Sequence, residues 1–250
     1  MSAHPAPGPA DADAVAHVFV DALEEQCRLS GDDGHHLQRV RRLVAGERVT
    51  AADGSGAWRP YAVGEVAPGY LVLEACGDIE VATEPAPAVS LAVALAKGGL
   101  DDIVAAVTEL GVARVTPITT ARTVVRWDAG RAGRAVRRLR SVARESAMQS
   151  RRATVPRVDE VATLDEVAAR PGLVVADRNG VGAGELARPP TGRDGWTVLV
   201  GPEGGLAPEE LATLGNAPRL RLGVHVLRAA TAPVAAVAVM VGEASRLLPE

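Results

Sequence analysis

From residue 86 onward the chain alternates short, almost wholly apolar runs with stretches whose apolar residues recur every three to four positions, and that alternation admits few folds. LAVALA, RVTPI, LVVAD and WTVLV have strand length and lack the polar-out alternation of a half-exposed sheet. Strands apolar on both faces belong to parallel sheets covered by helices on both sides. The region 86–250 therefore predicts an α/β domain. In LDDIVAAVTELGV, Leu100, Ile103, Val104, Val107 and Leu110 repeat at helical spacing, Asp101 and Asp102 suit the first turn, and Gly111 closes the helix. An Arg-rich helix is predicted from about Asp128 to Gln149, then a helix at APEELATLG, a strand at RLRLG and a last helix, TAPVAAVAVMVGEASRLL. That last helix has almost no polar face over its first three turns, so it must be buried, either within the monomer or in a dimer interface.

Upstream the rhythm is different. ERVTAAD, WRPYAVGEV and GYLVLEAC are short and strand-like, with DGSG as a hairpin turn between the first two, and predict a small β-barrel over residues 17–85. GDDGHHLQRVRRL sets Arg39, Val40, Arg42 and Leu43 at helical spacing, one face basic. VATEPAPAVS reads as a linker, with the boundary near residue 86. Residues 1–16 lack a basic start and an apolar run, so they read as a disordered leader and not as a signal peptide. Nothing approaches a transmembrane length. Cys27 and Cys76 have no CxxC and no His/Cys spacing around them, which predicts neither a disulfide framework nor a metal site and suits a reducing cytoplasm.

The formal net charge of −4 argues by itself against a polyanionic partner, but its placement reverses that argument. Between Arg114 and Arg157 stand twelve arginines, at 114, 122, 126, 131, 134, 137, 138, 140, 144, 151, 152 and 157, against Asp128 and Glu145, a local charge of +10. A concentrated basic stretch in an acidic chain is suited to holding RNA phosphates at a defined place. Lys97 is the only lysine, so a compositional preference explains arginine over lysine without explaining the clustering.

The stretch WTVLVGPEGGLAPEEL runs an apolar strand straight into Gly201, Pro202, Glu203, Gly204 and Gly205 and then a helix. Glycines there let backbone groups approach a ligand closely. The loop has neither the GxGxxG spacing of a dinucleotide site nor the GK[ST] of a P-loop. About twenty residues on, a second strand ends in LGVHVLRAATAPVAA. Together the two motifs resemble the paired C-terminal motifs of the bacterial 16S ribosomal RNA uridine-N3 methyltransferases of the SPOUT superfamily. The resemblance extends upstream through HHLQRVRRL, DGSG, Glu109-Leu110-Gly111-Val112, Pro117 and Gln149-Ser150-Arg151-Arg152 to Val155-Pro156, in family order.

That resemblance implies a C-terminal trefoil-knotted SPOUT domain behind an N-terminal PUA-like RNA-binding barrel, a homodimer, and S-adenosylmethionine as cofactor. It implies methylation of a uridine N3 in the 16S RNA of the small ribosomal subunit. By position, Leu199, Gly201, Glu203, Gly204, Leu222, Gly223, Val226, Leu227 and Arg228 would line the cofactor pocket. Arg228 would offset charge developing on the uracil ring, and Glu203 would orient the base or accept its proton. Arg39, Arg42, Arg122, Arg138, Arg151 and Arg152 are the arginines expected on RNA phosphates. The chain departs from the family at Ala230 and Met148, where an acid is usual, and at Ala106, where a lysine is common. Two readings compete: a SPOUT enzyme acting on transfer RNA or a ribose 2′-hydroxyl, and an RNA-binding SPOUT protein without activity.

Overall fold

A strand that buries every second residue must find a partner surface for that face, and the first half of the chain solves this by curling one sheet on itself. The computed structural model describes residues 9, 13–31, 42–84, 86–96, 98–189 and 195–247. The chain divides into two units, residues 1–84 with 147–155, and residues 85–146 with 156–250.

In the first unit β1 (Ala16–Phe19), β2 (Gln26–Ser30), β3 (Arg48–Ala52), β4 (Ala57–Ala67), β5 (Tyr70–Ala75) and β6 (Glu80–Val81) form one sheet in the order β1-β3-β4-β5-β2, with β6 on β4. β1 and β3 are parallel and the other pairs antiparallel. The register of β4 against β5 shifts between Val63 and Val66, the kind of irregularity that bends a long strand. The result is a curled half-barrel closed over Val18, Val49, Ala51, Tyr61, Leu71 and Leu73. The DGSG turn is held by Asp53, whose Oδ1 accepts from the N–H groups of Ser55 (2.7 Å) and Ala57 (3.2 Å), while Gly54 and Gly56 take the positive φ values the turn needs.

The expected leader overlaps this sheet: Ala14 is buried and Ala16 opens β1. His35, His36 and Arg39 lie outside the described residues. Arg42 corrects the expected helical face, because its φ of 52° takes it out of any regular helix. A larger difference is that residues 147–155 join this unit. Ala147 and Ala153 pack with Phe19, Ala52, Trp58 and Ala82, a cluster no upstream periodicity announced.

His17 ties the same elements together. Its Nδ1 accepts from Thr50 Oγ1 (2.8 Å) and its Nε2–H donates to the Arg152 carbonyl (2.9 Å). Burial lowers its pKa from 6.5 to about 4. The imidazole is therefore neutral in the folded chain, and the unfolded chain takes up a proton first as pH falls. Stability from this group is fully present above pH 6.5 and is lost as pH falls toward 4, by about 3 kcal/mol. Thermal melts of the wild type and of His17→Asn across that range are expected to converge at low pH; parallel curves would refute the assignment.

The second unit is the expected α/β domain. Its elements are β7 (Val89–Ala94), α1 (Leu100–Glu109), β8 (Arg114–Ile118), α2 (Ala129–Gln149), β9 (Arg157–Val158), α3 (Leu164–Ala168), β10 (Leu173–Val181), β11 (Trp196–Val200), α4 (Pro208–Thr213), β12 (Arg219–Leu220) and α5 (Thr231–Arg246). The last three residues of α2 fall in the first unit. The six strands form one sheet, all pairs parallel, in the order β12-β10-β11-β7-β8-β9. The expected RLRLG strand shrinks to Arg219 and Leu220.

Both faces of the sheet are covered. Leu91, Val93 and Val198 join the cluster of Ile103, Val104 and Val107 from α1, Val136 and Leu139 from α2, and Val237 and Met240 from α5. Ala92, Leu199 and Val175 join Leu164, Val167 and Leu214 on the other side. α5 buries Pro233, Ala236, Val237, Met240 and Ala244 within this unit, which accounts for one stripe of its apolar surface. Val234, Val239 and Val241 stay half-buried. Among the described residues, no helix is long and apolar enough to cross a membrane.

Candidate functional site

In a parallel sheet every strand points the same way, so the loops after each strand gather along one edge, and ligands bind where neighbouring loops diverge. Here the chain runs to one side from β7 through β8 to β9, and to the other through β10, β11 and β12. The divergence lies at β11 and β7, which pair from Trp196↔Val89 to Val200↔Val93. The loop after β11, residues 201–205, stands at that point with a cavity on either side.

The first cavity, of about 590 Å³, lies among residues 175–178 of β10 and the loops after β11 and β12. Gly201, Glu203, Gly204, Leu222, Gly223, Val226 and Leu227 line it, so seven of the nine residues expected at the cofactor surround one space. Leu199 does not: it is fully buried beneath the loop and packs against the sheet. Nor does Arg228, whose side chain is exposed and whose carbonyl accepts from the N–H groups of Thr231 and Ala232, starting α5. Val226 is 84% exposed, an apolar side chain left for a ligand to cover.

Sequence reasoning missed three polar residues on these walls, Asp177, Arg178 and Arg219. Asp177 ends the apolar run of β10 at the ligand edge, a position that suits a carboxylate accepting from hydroxyl groups; one of its oxygens already accepts from the Asn179 N–H (2.8 Å). Among the described residues, Arg219 Nη1 is buried with no hydrogen-bond partner. A mostly apolar cavity of this size with a few polar groups fits a small molecule with a largely apolar body and a charged end. Open space at Gly223, where an added Cβ would meet nothing within 4 Å among the described residues, leaves room for it.

The second cavity, of about 470 Å³, lies on the other side of residues 201–204, among the ends of β7, α1 and the segment after β8. Val93, Leu95, Ile103, Val124 and Val125 form its apolar walls, and Arg122 stands on it. Gly201, Pro202, Glu203, Gly204 and Ala229 line both cavities. Glu203 is the one ionisable residue among these five.

Local hydrogen bonds hold this partition. The Gly205 N–H donates to the Pro202 carbonyl (2.8 Å), closing a turn that Gly205 completes at φ 70°. Arg122 Nη1 donates to the Gly204 carbonyl (2.8 Å). Glu210 accepts from the N–H of Ala121 on Oε1 (2.6 Å) and from that of Ala207 on Oε2 (2.7 Å), joining the segment after β8 to the start of α4.

The expected RNA arginines separate into two groups. Arg138 is exposed on α2 and pairs with Asp101 at 2.5 Å. With Arg131, Arg134 and Trp127 it borders a groove of about 360 Å³. Arg151 and Arg152 behave otherwise. Arg151 Nη2 donates to the Ala14 carbonyl (2.5 Å). Arg152 donates to Thr154 Oγ1 (3.0 Å), pairs with Glu84 (3.4 Å), and has a side chain only 10% exposed. Arg152 is thus tied into the first unit, with most of its guanidinium turned away from solvent. Among the described residues no cluster of His, Cys, Asp or Glu is placed to hold a metal.

Residues 83–241 match the profile of the RNA methyltransferase domain and residues 29–76 that of the RNA methyltransferase PUA domain, which sets the class of protein that this sheet and its paired loops define. The chain is 34% identical to the ribosomal RNA small subunit methyltransferase E of Mycobacterium bovis, over 89% of this chain and 90% of that one. It is 31% identical to the protein of the same name from Synechocystis sp., over 86% and 73%. The fold superposes on a ribosomal RNA small subunit methyltransferase E from Neisseria gonorrhoeae, solved bound to S-adenosyl methionine, with a TM-score of 0.80 at 23% identity, over 90% of this chain and 96% of that one. The chain belongs to the ribosomal RNA small subunit methyltransferase E family.

Proposed function

We propose that this protein transfers a methyl group from S-adenosylmethionine to N3 of a uridine in 16S RNA of the small ribosomal subunit, in the cytoplasm and as a homodimer. The observation that carries the reading is the meeting of residues 201–204 and 222–227 around one cavity, in a chain of this family. Gly201, Gly204, Gly223, Leu222 and Leu227 hold the cofactor through backbone approach and apolar contact, and Arg219 supplies a cation for its carboxylate. When bound, S-adenosylmethionine supplies an electrophilic methyl group on a sulfonium. The uracil N3 electron pair forms the new N–C bond, the C–S pair returns to sulfur, and the N3 proton passes to the Glu203 carboxylate. Arg228 and Arg122 lie beside the two loops, where a guanidinium offsets charge on a uracil carbonyl oxygen.

Arg122, Arg138, Arg131 and Arg134, exposed in the second unit, are the contacts we assign to RNA phosphates, with Arg39 and Arg42 from the first. The trefoil threading of the C-terminal segments belongs to the same reading.

The test is calorimetry with S-adenosylmethionine followed by mass spectrometry of 16S RNA incubated with enzyme and cofactor. Saturable heat and N3-methyluridine at one nucleotide are expected. No heat reduces the protein to an RNA-binding module; a methyl group on transfer RNA or on a ribose overturns the substrate.

A further inference from the structure

We infer that the second cavity seats the target uracil ring, on the opposite side of residues 201–204 from the cofactor; the inference rests on the methyltransferase reading above. A base that is to be methylated must leave its stack and enter a pocket that grips its faces. The walls offered by Val93, Leu95, Ile103 and Val125 are apolar, and its volume of about 470 Å³ falls within the range of small-molecule sites. Val124, 76% exposed, is a large apolar side chain on its wall that an entering ring would cover.

Three features select a nucleotide over another apolar guest. The only ionisable side chains on the walls among the described residues are Arg122 and Glu203. Arg122 is tied to the Gly204 carbonyl, so a cation is fixed beside the entry of a polyanion. Glu203 reaches both cavities, so a ring in the second and a sulfonium in the first share one carboxylate. Apolar walls also exclude water, which would compete for the methyl group and for the proton. Residues 201–204 then separate cofactor and base at their far ends and let them meet over Glu203.

The inference is tested with an RNA carrying 4-thiouridine at the nucleotide found to be methylated, irradiated in the presence of the enzyme and S-adenosylhomocysteine. Crosslinked peptides are expected from residues 93–103 or 122–125. Crosslinks only to other segments, with methylation of the same RNA intact, would overturn the cavity assignment and leave the methyltransferase reading standing. Ala96→Phe, which fills the cavity, and Val124→Asp, at an exposed position that a folded chain tolerates, are each expected to lower methyl transfer by about 100-fold with calorimetric affinity for S-adenosylmethionine unchanged. Should Ala96→Phe fail to fold, Val124→Asp decides. Normal methylation by the folded variants, or cofactor affinity falling in step with activity, would refute the assignment. A wild type that neither binds cofactor nor methylates RNA fails earlier, at the reading on which this one rests.

Discussion

Glu203→Gln is expected to lower kcat by about 10²–10⁴-fold, with a much smaller loss of affinity for S-adenosylmethionine. The substitution keeps the size and shape of the side chain and removes only its ability to accept a proton. Glu203 is exposed on the wall common to both cavities, and among the described residues no other ionisable residue occupies that wall. A merely structural part would show up in stability. That part is small here, because the helix start nearby is served by Glu210, whose Oε2 accepts from the Ala207 N–H, and α4 begins only at Pro208. The melting temperature should hold, and the fall should lie in kcat more than in KM. Near-normal turnover by the glutamine variant would remove Glu203 from the chemistry.

Gly195→Ala is expected to cost about 3 kcal/mol or more and to leave little folded protein at physiological temperature. Gly195 precedes β11 with φ 37°, and an added Cβ would sit 1.8 Å from the carbonyl oxygen of Ala88 and 2.7 Å from its nitrogen. These are backbone atoms just before β7, and they have no rotamer to escape through. β11 and β7 would have to separate at the pair whose far ends frame both cavities. Gly172 shows the same crowding, its added Cβ meeting the Gly195 carbonyl at 2.0 Å, so a compensating shift on that side is blocked as well. Chemical denaturation of the purified variant measures the loss, and wild-type stability would contradict the packing described.

The α/β half was legible because its physics is local. RVTPI and WTVLV are strands over the expected residues because a strand buried on both faces writes itself as an uninterrupted apolar run. The helix at Leu100–Glu109 follows its apolar spacing and its two first-turn aspartates, and Gly111 sits past its end at φ 96°. RLRLG misled because Leu222 and Gly223 already belong to the loop that lines the first cavity, where cavity geometry overrides strand preference.

The site was half legible. Glycines in two loops marked the first cavity, since close backbone approach leaves a compositional trace. Arg219 left none: an arginine in a strand reads as surface until the neighbours that bury its Nη1 are known. The second cavity draws its walls from five separate stretches around Val93, Ile103, Val124, Pro202 and Ala229, and no window of sequence holds more than a fragment of that surface. Arg152 and His17 fail to announce themselves for the same reason, since one bonds across to Glu84 and the other to Thr50.

The return of residues 147–155 to the first unit has a consequence for synthesis. A nascent chain that has just released its early strands lacks the residues that cover Phe19, Trp58 and Ala82 until Ala147 and Ala153 have also emerged. During that interval part of its apolar surface waits in solvent, exposed to chaperones and to self-association. Any cut made near position 85 to isolate the front half would reproduce the waiting state permanently, so genetic dissection of this molecule has to carry the distant segment along, as a graft or as a circular permutant.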